Sequence, residues 1–208
     1  AVLHLHIKQN AYYSLSGFSF PALPAILFLL YFCCGLRLSE GRLLKWEHID
    51  LQKGILIVLN SKGKKDRLVY LPQDSLPVLK SYKECQEKLF PGIDWTFPGK
   101  DPRKPVSCSG VESSFNRHWA MLPAARTLDK HPTPHCLRHA FVVERFNEWM
   151  RQGIDTNTML PYLSRYLGHK SPDKTYYYYH LVEKAFDTIR EKDSVSGKVI
   201  PEVVRYEE

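Results

Sequence analysis

The first sustained pattern in the chain is PALPAILFLLYFCC, residues Pro21 to Cys34, apolar at almost every position. A run with no polar stripe predicts a helix buried on all sides, and Gly35 marks its end. SEGRLLKWEHI follows, and its spacing predicts a second, amphipathic helix with Leu43, Leu44 and Trp46 turned inward. ILIVLN and RLVYLP are short β-branched and aromatic runs, and the basic, glycine-containing SKGKKD between them predicts a hairpin. Before this, HLHIKQNAYYSLSGF shows neither helical nor alternating periodicity, so residues up to about Phe20 receive no element.

Downstream of Ser75, LPVLKSYKECQEKL predicts a helix. PGIDWTFPGKDPRKPVS, which carries Trp95 and Phe97, reads as an internal loop rather than a domain boundary. VESSFNRHWAML is helical in pattern. Pro132 and Pro134 delay the next helix to about His135, with Pro134 suited to the first helical position, and Gly153 ends it. Another helix spans Thr158 to Leu167 and stops at Gly168. SPDKT then has the form of a new start, with Ser171 as cap, Pro172 in the first turn and Asp173 favourable to the helix dipole. That last helix is expected to reach Lys192, followed by a tail, VSGKVIPEVVRYEE. The expected fold is α+β, mainly α, with one small antiparallel β-sheet, and 208 residues fit one domain.

Charge adds a partner class. Lys and Arg outnumber Asp and Glu by 29 to 22, and the basic residues recur along much of the chain, which favours a polyanion, nucleic acid before membrane. The apolar run is shorter than the roughly 20 residues of a bilayer span, and no export signal flanks it. Five cysteines cannot all pair within one chain, and Cys33 and Cys34 are adjacent, so reduced thiols and a cytoplasmic location are expected.

Taken singly, the polar motifs are ordinary. GLRLSE puts Arg37 three residues before Glu40, the spacing of a surface ion pair. HCLRH places His135 and Arg138 on one helical face. LGH sets His169 just past a glycine cap, and Lys62, Lys64 and Lys65 decorate a hairpin tip. Tyr176, Tyr177, Tyr178 and Tyr179 point about 100° apart on a helix, so at most one of them faces a given site. His131, His135 and His139 are spaced like zinc ligands, but Pro132 and Pro134 keep His131 off a continuous helix, and no HExxH arrangement occurs; no metal is assigned.

In chain order, however, GLRLSE, KGKKDR, HCLRH, LGH and a tyrosine two residues before a histidine resemble the catalytic domain of the tyrosine recombinase (phage integrase) family. The resemblance covers nearly the whole chain. It implies that Arg37 and Arg138 are the catalytic arginines, Glu40 the acidic partner, Lys62 the hairpin lysine, His135 and His169 the catalytic histidines and Tyr178 the nucleophile, with His180 in support. Residues 1–192 then form the catalytic domain. Residues 193–208 form a tail that docks on a neighbouring protomer, and the family's separate DNA-binding domain has no counterpart here.

The implied reaction is site-specific recombination through a 3′-phosphotyrosyl link on double-stranded DNA, by a homotetramer on paired sites that is monomeric without DNA, in a bacterium, phage or mobile element. No cofactor is implied. Two guanidiniums would neutralise the charge that builds on the phosphate, His135 would accept the phenol proton and Lys62 would protonate the departing 5′-oxygen. Lys45, Lys64, Lys65, Arg67 and Arg117 are expected on backbone phosphates. The rival readings are a type IB topoisomerase-like enzyme and a DNA-binding relative without turnover.

Overall fold

The computed structural model describes residues 22–61, 65–127, 131–169, 171 and 174–178. Helix α1 (Ala22–Cys34) is the axis of the fold. Ile26, Leu27, Leu29 and Leu30 are almost wholly buried, as an apolar run without a polar stripe requires. Against α1 pack a three-stranded sheet, α3 (Leu76–Leu89), α4 (Cys108–Ala120) and α5 (His135–Arg151). The sheet consists of β1 (Ile49–Asp50), β2 (Ile55–Ser61) and β3 (Lys65–Tyr70), antiparallel and in that order. Leu56 pairs with Val69, and both are buried with Val58, whereas Ile57, Leu59, Leu68 and Tyr70 face outward. Side chains thus alternate between the core and the outer face, as the pleat of a strand requires. Strand β1 has no signal of its own, being two residues long.

The second helix differs from expectation. Helix α2 covers only Leu38–Arg42, and Leu43 is exposed rather than inward, while Leu44 is buried and Trp46 half-buried. The chain straightens because the 94–96 loop captures its backbone: Trp46 N donates to the Asp94 carbonyl (3.0 Å) and Thr96 N to that of Leu44 (2.9 Å), around a Lys45–Trp95 bridge. Tertiary hydrogen bonds outweigh local periodicity here, and beyond α2 a single 3-10 turn, Trp46–His48, is what remains of the expected helix. Gly41 belongs to the same junction, since a Cβ there would lie 2.3 Å from the Tyr31 ring; without one, α2 rests directly on α1.

Two other helices begin earlier than their patterns suggest, each at an unrecognised cap. Ser107 Oγ accepts from Gly110 N ahead of α4, and the Asp155 carboxylate accepts from the backbone of Asn157 and Thr158 ahead of α6 (Thr156–Tyr166). Pro134 stands at the cap position of α5. The Pro172 and Asp173 start and the stretch to Lys192 lie outside the described residues, apart from a helical segment at 174–178.

Two apolar clusters result. The larger surrounds α1. The smaller joins α5 and α6 through Phe141, Val142, Phe146, Leu160, Leu163 and Leu167, and it includes Tyr178. Leu137 belongs to the first cluster and Phe141 to the second, so Arg138, between them on α5, sits at the seam. Among the described residues, no helix is long and apolar enough to cross a membrane.

Candidate active site

The seam is held by the end of α6. Gly168, at φ +66°, lets the chain reverse, so that Gly168 N donates to the Arg165 carbonyl (3.0 Å) and His169 N to that of Ser164 (3.0 Å). This leaves the carbonyls of Leu167 and Gly168 pointing outward at the negative end of the helix dipole. Two guanidiniums take them: Arg138 Nη2 donates to Leu167 O (2.7 Å) and Arg37 Nη2 to Gly168 O (2.8 Å). Neighbouring carbonyls on one turn thereby fix two cations drawn from distant positions in the chain.

Gly35 supplies a second anchor. Its carbonyl accepts from Arg138 Nη1 at 2.6 Å, in a turn that needs φ +61° and the close approach of Phe141, whose Cδ1 would lie 2.6 Å from an added Cβ. The glycine that ends α1 therefore aims an acceptor at the site as well as breaking the helix.

Glu40 lies behind the arginines, its side chain 5% exposed. It accepts from Arg37 Nη1 (2.7 Å) and Arg37 N (2.8 Å), takes a two-pronged contact from Arg67 (2.8 and 2.7 Å), and stands 3.9 Å from Arg138 Nη1. Burial works against its ionisation, but the Arg67 hydrogen bonds and charge, followed by Arg37, outweigh it and hold the carboxyl down at about 2. Arg67 was expected on the DNA backbone. It is instead turned inward onto Glu40, because a buried carboxylate shared by Arg37 and Arg138 draws in a further cation.

His169 Nε2 lies 3.2 Å from Arg138 Nη2, and its Nδ1 meets Thr175 Oγ1 at 2.8 Å. Burial first, then the charges of Arg138 and Arg37, pull His169 down to about 4, so its ring is neutral at pH 7. With Arg138 donating, Nε2 is the acceptor and Nδ1–H donates to the threonine.

The segment 174–178 separates the tyrosines by burial. Tyr176 and Tyr177 are 42% and 62% exposed, whereas Tyr178 is 6% exposed, packed in the smaller cluster. Its hydroxyl lies 2.5 Å from His139 Nδ1. The family resemblance assigns the phenol proton to His135, but the hydroxyl meets the histidine one turn later. His135 is exposed, and its ring stands edge-to-face with that of His139, centroids 4.5 Å apart. Burial raises the Tyr178 phenol above its ordinary value, and Arg138 opposes that rise.

Arg37, Glu40, Arg138, His169 and Tyr178 thus meet at one place, with His135 at its rim. His139, Thr175 and the inward role of Arg67 were missed. His139 was weighed only as a metal ligand, although its i+4 spacing from His135 put both on one face. Lys62, Lys64 and His180 lie outside the described residues, as does the side chain of Lys65. Arg117 is exposed on α4, and Lys45 is engaged with Glu47 (3.4 Å), Asp94 (3.8 Å) and the Trp95 ring. Among the described residues, no group of three His, Cys, Asp or Glu could hold a metal ion. Such a set, two clamped guanidiniums with imidazoles and one buried phenol, is suited to gripping a phosphodiester and attacking it.

Comparison with known proteins places the chain in a family. Tyrosine recombinase XerC of Lactobacillus leichmannii is 31% identical over 156 residues, covering 73% of this chain and 48% of that protein. The crystal structure of XerA recombinase superposes with a TM-score of 0.63 at 25% identity, over 89% of this chain and 60% of the other. The fold is also that of XerH site-specific recombinase, solved with a palindromic difH substrate after cleavage, with a TM-score of 0.61 at 20% identity over 82% and 46% of the two chains. The chain spans about half the length of the curated relatives it matches. The model of the phage integrase family matches residues 9–185, and the chain belongs to that family.

Proposed function

We propose that this chain is the catalytic part of a site-specific DNA recombinase, which breaks and rejoins double-stranded DNA through a phosphotyrosyl intermediate. The observation that carries the reading is the seating of Arg37 and Arg138 on the adjacent carbonyls of Gly168 and Leu167, with His169 beside them and Tyr178 turned to the same seam.

A phosphodiester in that seat presents its nonbridging oxygens to both guanidiniums, which neutralise charge as the pentacoordinate state forms. Those oxygens can only accept, so His169 serves them as the Nε2–H tautomer, with Nδ1 then accepting from Thr175, which orients the ring. The Tyr178 oxygen attacks phosphorus, the bond to the deoxyribose 5′-oxygen breaks, and Lys62 protonates the departing oxygen. The link formed retains the energy of the phosphodiester, so a 5′-hydroxyl from another strand reverses the step without a cofactor. The shared ancestry with XerC and XerA supports recombination over strand relaxation. The working assembly in this reading is a homotetramer on paired sites, with residues 193–208 docked on the adjoining protomer and His180 supporting the nucleophile from two residues beyond it.

The test uses the full chain and a nicked duplex library with a randomised core, in which the nick lets the short product diffuse away and traps the covalent complex. A detergent-resistant adduct mapping to Tyr178 is expected, lost in Tyr178→Phe without loss of DNA binding. An adduct on another residue, or one that survives in Tyr178→Phe, overturns the assignment. Exchange between two labelled duplexes separates recombination from rejoining of the same strand, and the mass of the complex on paired sites tests the tetramer.

A further inference from the structure

The proposed reaction requires an acceptor for the Tyr178 proton, and the described site contains one in direct contact. We propose that His139, rather than His135, takes the phenol proton through Nδ1 as Tyr178 attacks and returns it when the strand is rejoined. This rests on the phosphotyrosyl reading above.

The geometry is local and specific. Tyr178 Oη lies 2.5 Å from His139 Nδ1, and the two ring centroids are 5.2 Å apart at an interplanar angle of 40°. Both ends of the contact are fixed: Tyr178 is buried among α5 and α6 side chains, and His139 occupies the residue after Arg138 on α5. His135, one turn earlier, meets the His139 ring edge-to-face instead. An imidazole must be neutral at Nδ1 to accept. The groups that face His139 favour that state: from its own helix Arg138 and the His135 ring, and from 174–178 the neutral phenol of Tyr178. Burial, followed by Arg138, lowers the His139 pKa.

Binding of substrate changes this balance in the useful direction. A phosphate seated on Arg37 and Arg138 offsets the charge that holds His139 neutral, so its affinity for a proton rises as the phosphate arrives. As the new oxygen–phosphorus bond forms, the phenol becomes more acidic and its proton moves to Nδ1. The bond from phosphorus to the 5′-oxygen breaks, and that oxygen takes its proton from Lys62. His139 ends as an imidazolium and Lys62 as an amine, and rejoining reverses both transfers, so no other reactant is needed. The experiment separates this role from one in which the contact only holds the phenol in place.

Single-turnover adduct formation on the nicked duplex is measured from pH 6 to 9 for the wild-type chain, His139→Asn, His139→Ala and His135→Ala. The asparagine side chain keeps an acceptor near the place of the Nδ1 atom but takes up no proton. DNA affinity unchanged in His139→Asn, with adduct formation slowed by about 10² to 10⁴, is the expected result. The wild-type rate should rise with pH through the His139 titration and level off, a rise absent from the asparagine variant, and free imidazole should partly restore His139→Ala. A 5′-bridging sulfur, whose thiolate leaves without a proton, should rescue Lys62→Ala but not His139→Asn.

Wild-type rates in His139→Asn, faster attack in His139→Ala, or rescue of His139→Asn by the sulfur substrate each overturn the proposal. So does a full defect in His135→Ala beside an unaffected His139→Asn. If the wild-type chain itself forms no adduct, the phosphotyrosyl reading falls, and this step falls with it. A normal wild-type adduct with an unaffected asparagine variant removes this step alone.

Discussion

Glu40→Gln tests the electrostatic centre of the site. The side chain is 5% exposed, receives four hydrogen bonds from Arg37 and Arg67, and stands 3.9 Å from Arg138, so its charge faces three guanidiniums with little water between. The carboxyl is held at about 2 against an ordinary 4.5. At about 1.4 kcal/mol per tenfold change, that difference makes the ionised form worth roughly 3 kcal/mol to the fold. Glutamine has the shape of the protonated acid, and its amide nitrogen must face an arginine donor. Urea unfolding at pH 7 should therefore show Glu40→Gln weaker by about 3 kcal/mol, at the low end for one member of a buried ion cluster. The pH dependence sharpens the test. Because the folded pKa is depressed, the contribution is complete above 4.5 and is lost as pH falls through about 2. The gap between wild type and variant should thus narrow over that window as the wild-type carboxyl protonates. A gap below about 1 kcal/mol at pH 7, or one that stays constant down to pH 2, refutes the assignment of Glu40 as the charge that holds the arginines together.

Three further outcomes are expected. Gly35→Ala forces a Cβ to 2.6 Å from Phe141 Cδ1 at φ +61°, so thermal unfolding should register a loss of roughly 2–4 kcal/mol. Arg117→Ala, on an exposed stretch of α4, should reduce the salt slope of DNA binding by about one, whereas Arg67→Ala should leave that slope unchanged and lower stability, because Arg67 is engaged with Glu40. Thr175→Val removes the partner of His169 Nδ1 at almost constant volume, so adduct formation should slow by about tenfold and urea unfolding should show a loss of about 1 kcal/mol for the donor left unpaired.

The helices around α1 and the hairpin were legible because burial marks composition: PALPAILFLLYFCC is apolar almost throughout, as burial on all sides requires, and ILIVLN is rich in the β-branched residues that suit a pleated sheet. The α2 region was not, since its straight path is set by the carbonyls and amides of residues 94–96, which carry no side-chain signature at positions 43–46. The site divides in the same way. Order and spacing single out Arg37, Arg138, His169 and Tyr178, which the fold brings together, and burial separates Tyr178 from its described neighbours Tyr176 and Tyr177. The roles of Arg67 and His139 were illegible because each depends on what lies opposite: a lysine- and arginine-rich hairpin has the same sequence whether its cations face DNA or a buried carboxylate, and a histidine one turn from another carries no mark of which meets the phenol.

The arrangement also ties catalysis to the integrity of the fold. Arg138 bridges the α1 turn, through Gly35 O, and the α6 terminus, through Leu167 O, while Arg37 runs from α2 to Gly168 O. Each guanidinium therefore joins the two apolar clusters as well as offering charge to a substrate. A lysine in either place has one nitrogen and cannot serve in the plane of a fork the two acceptors each arginine spans, Gly35 O and Leu167 O for Arg138, the Glu40 carboxylate and Gly168 O for Arg37. Arginine is thus required by the seam, and in the proposed reaction by the phosphate as well. A substitution that keeps the charge but loses the fork should part the α6 cap from α1 before it changes any chemistry, because His169 and Thr175 follow the cap and Tyr178 lies one turn beyond Thr175. In the proposed reaction the distance between Tyr178 and the phosphate would then be set by how well two helix ends are held together.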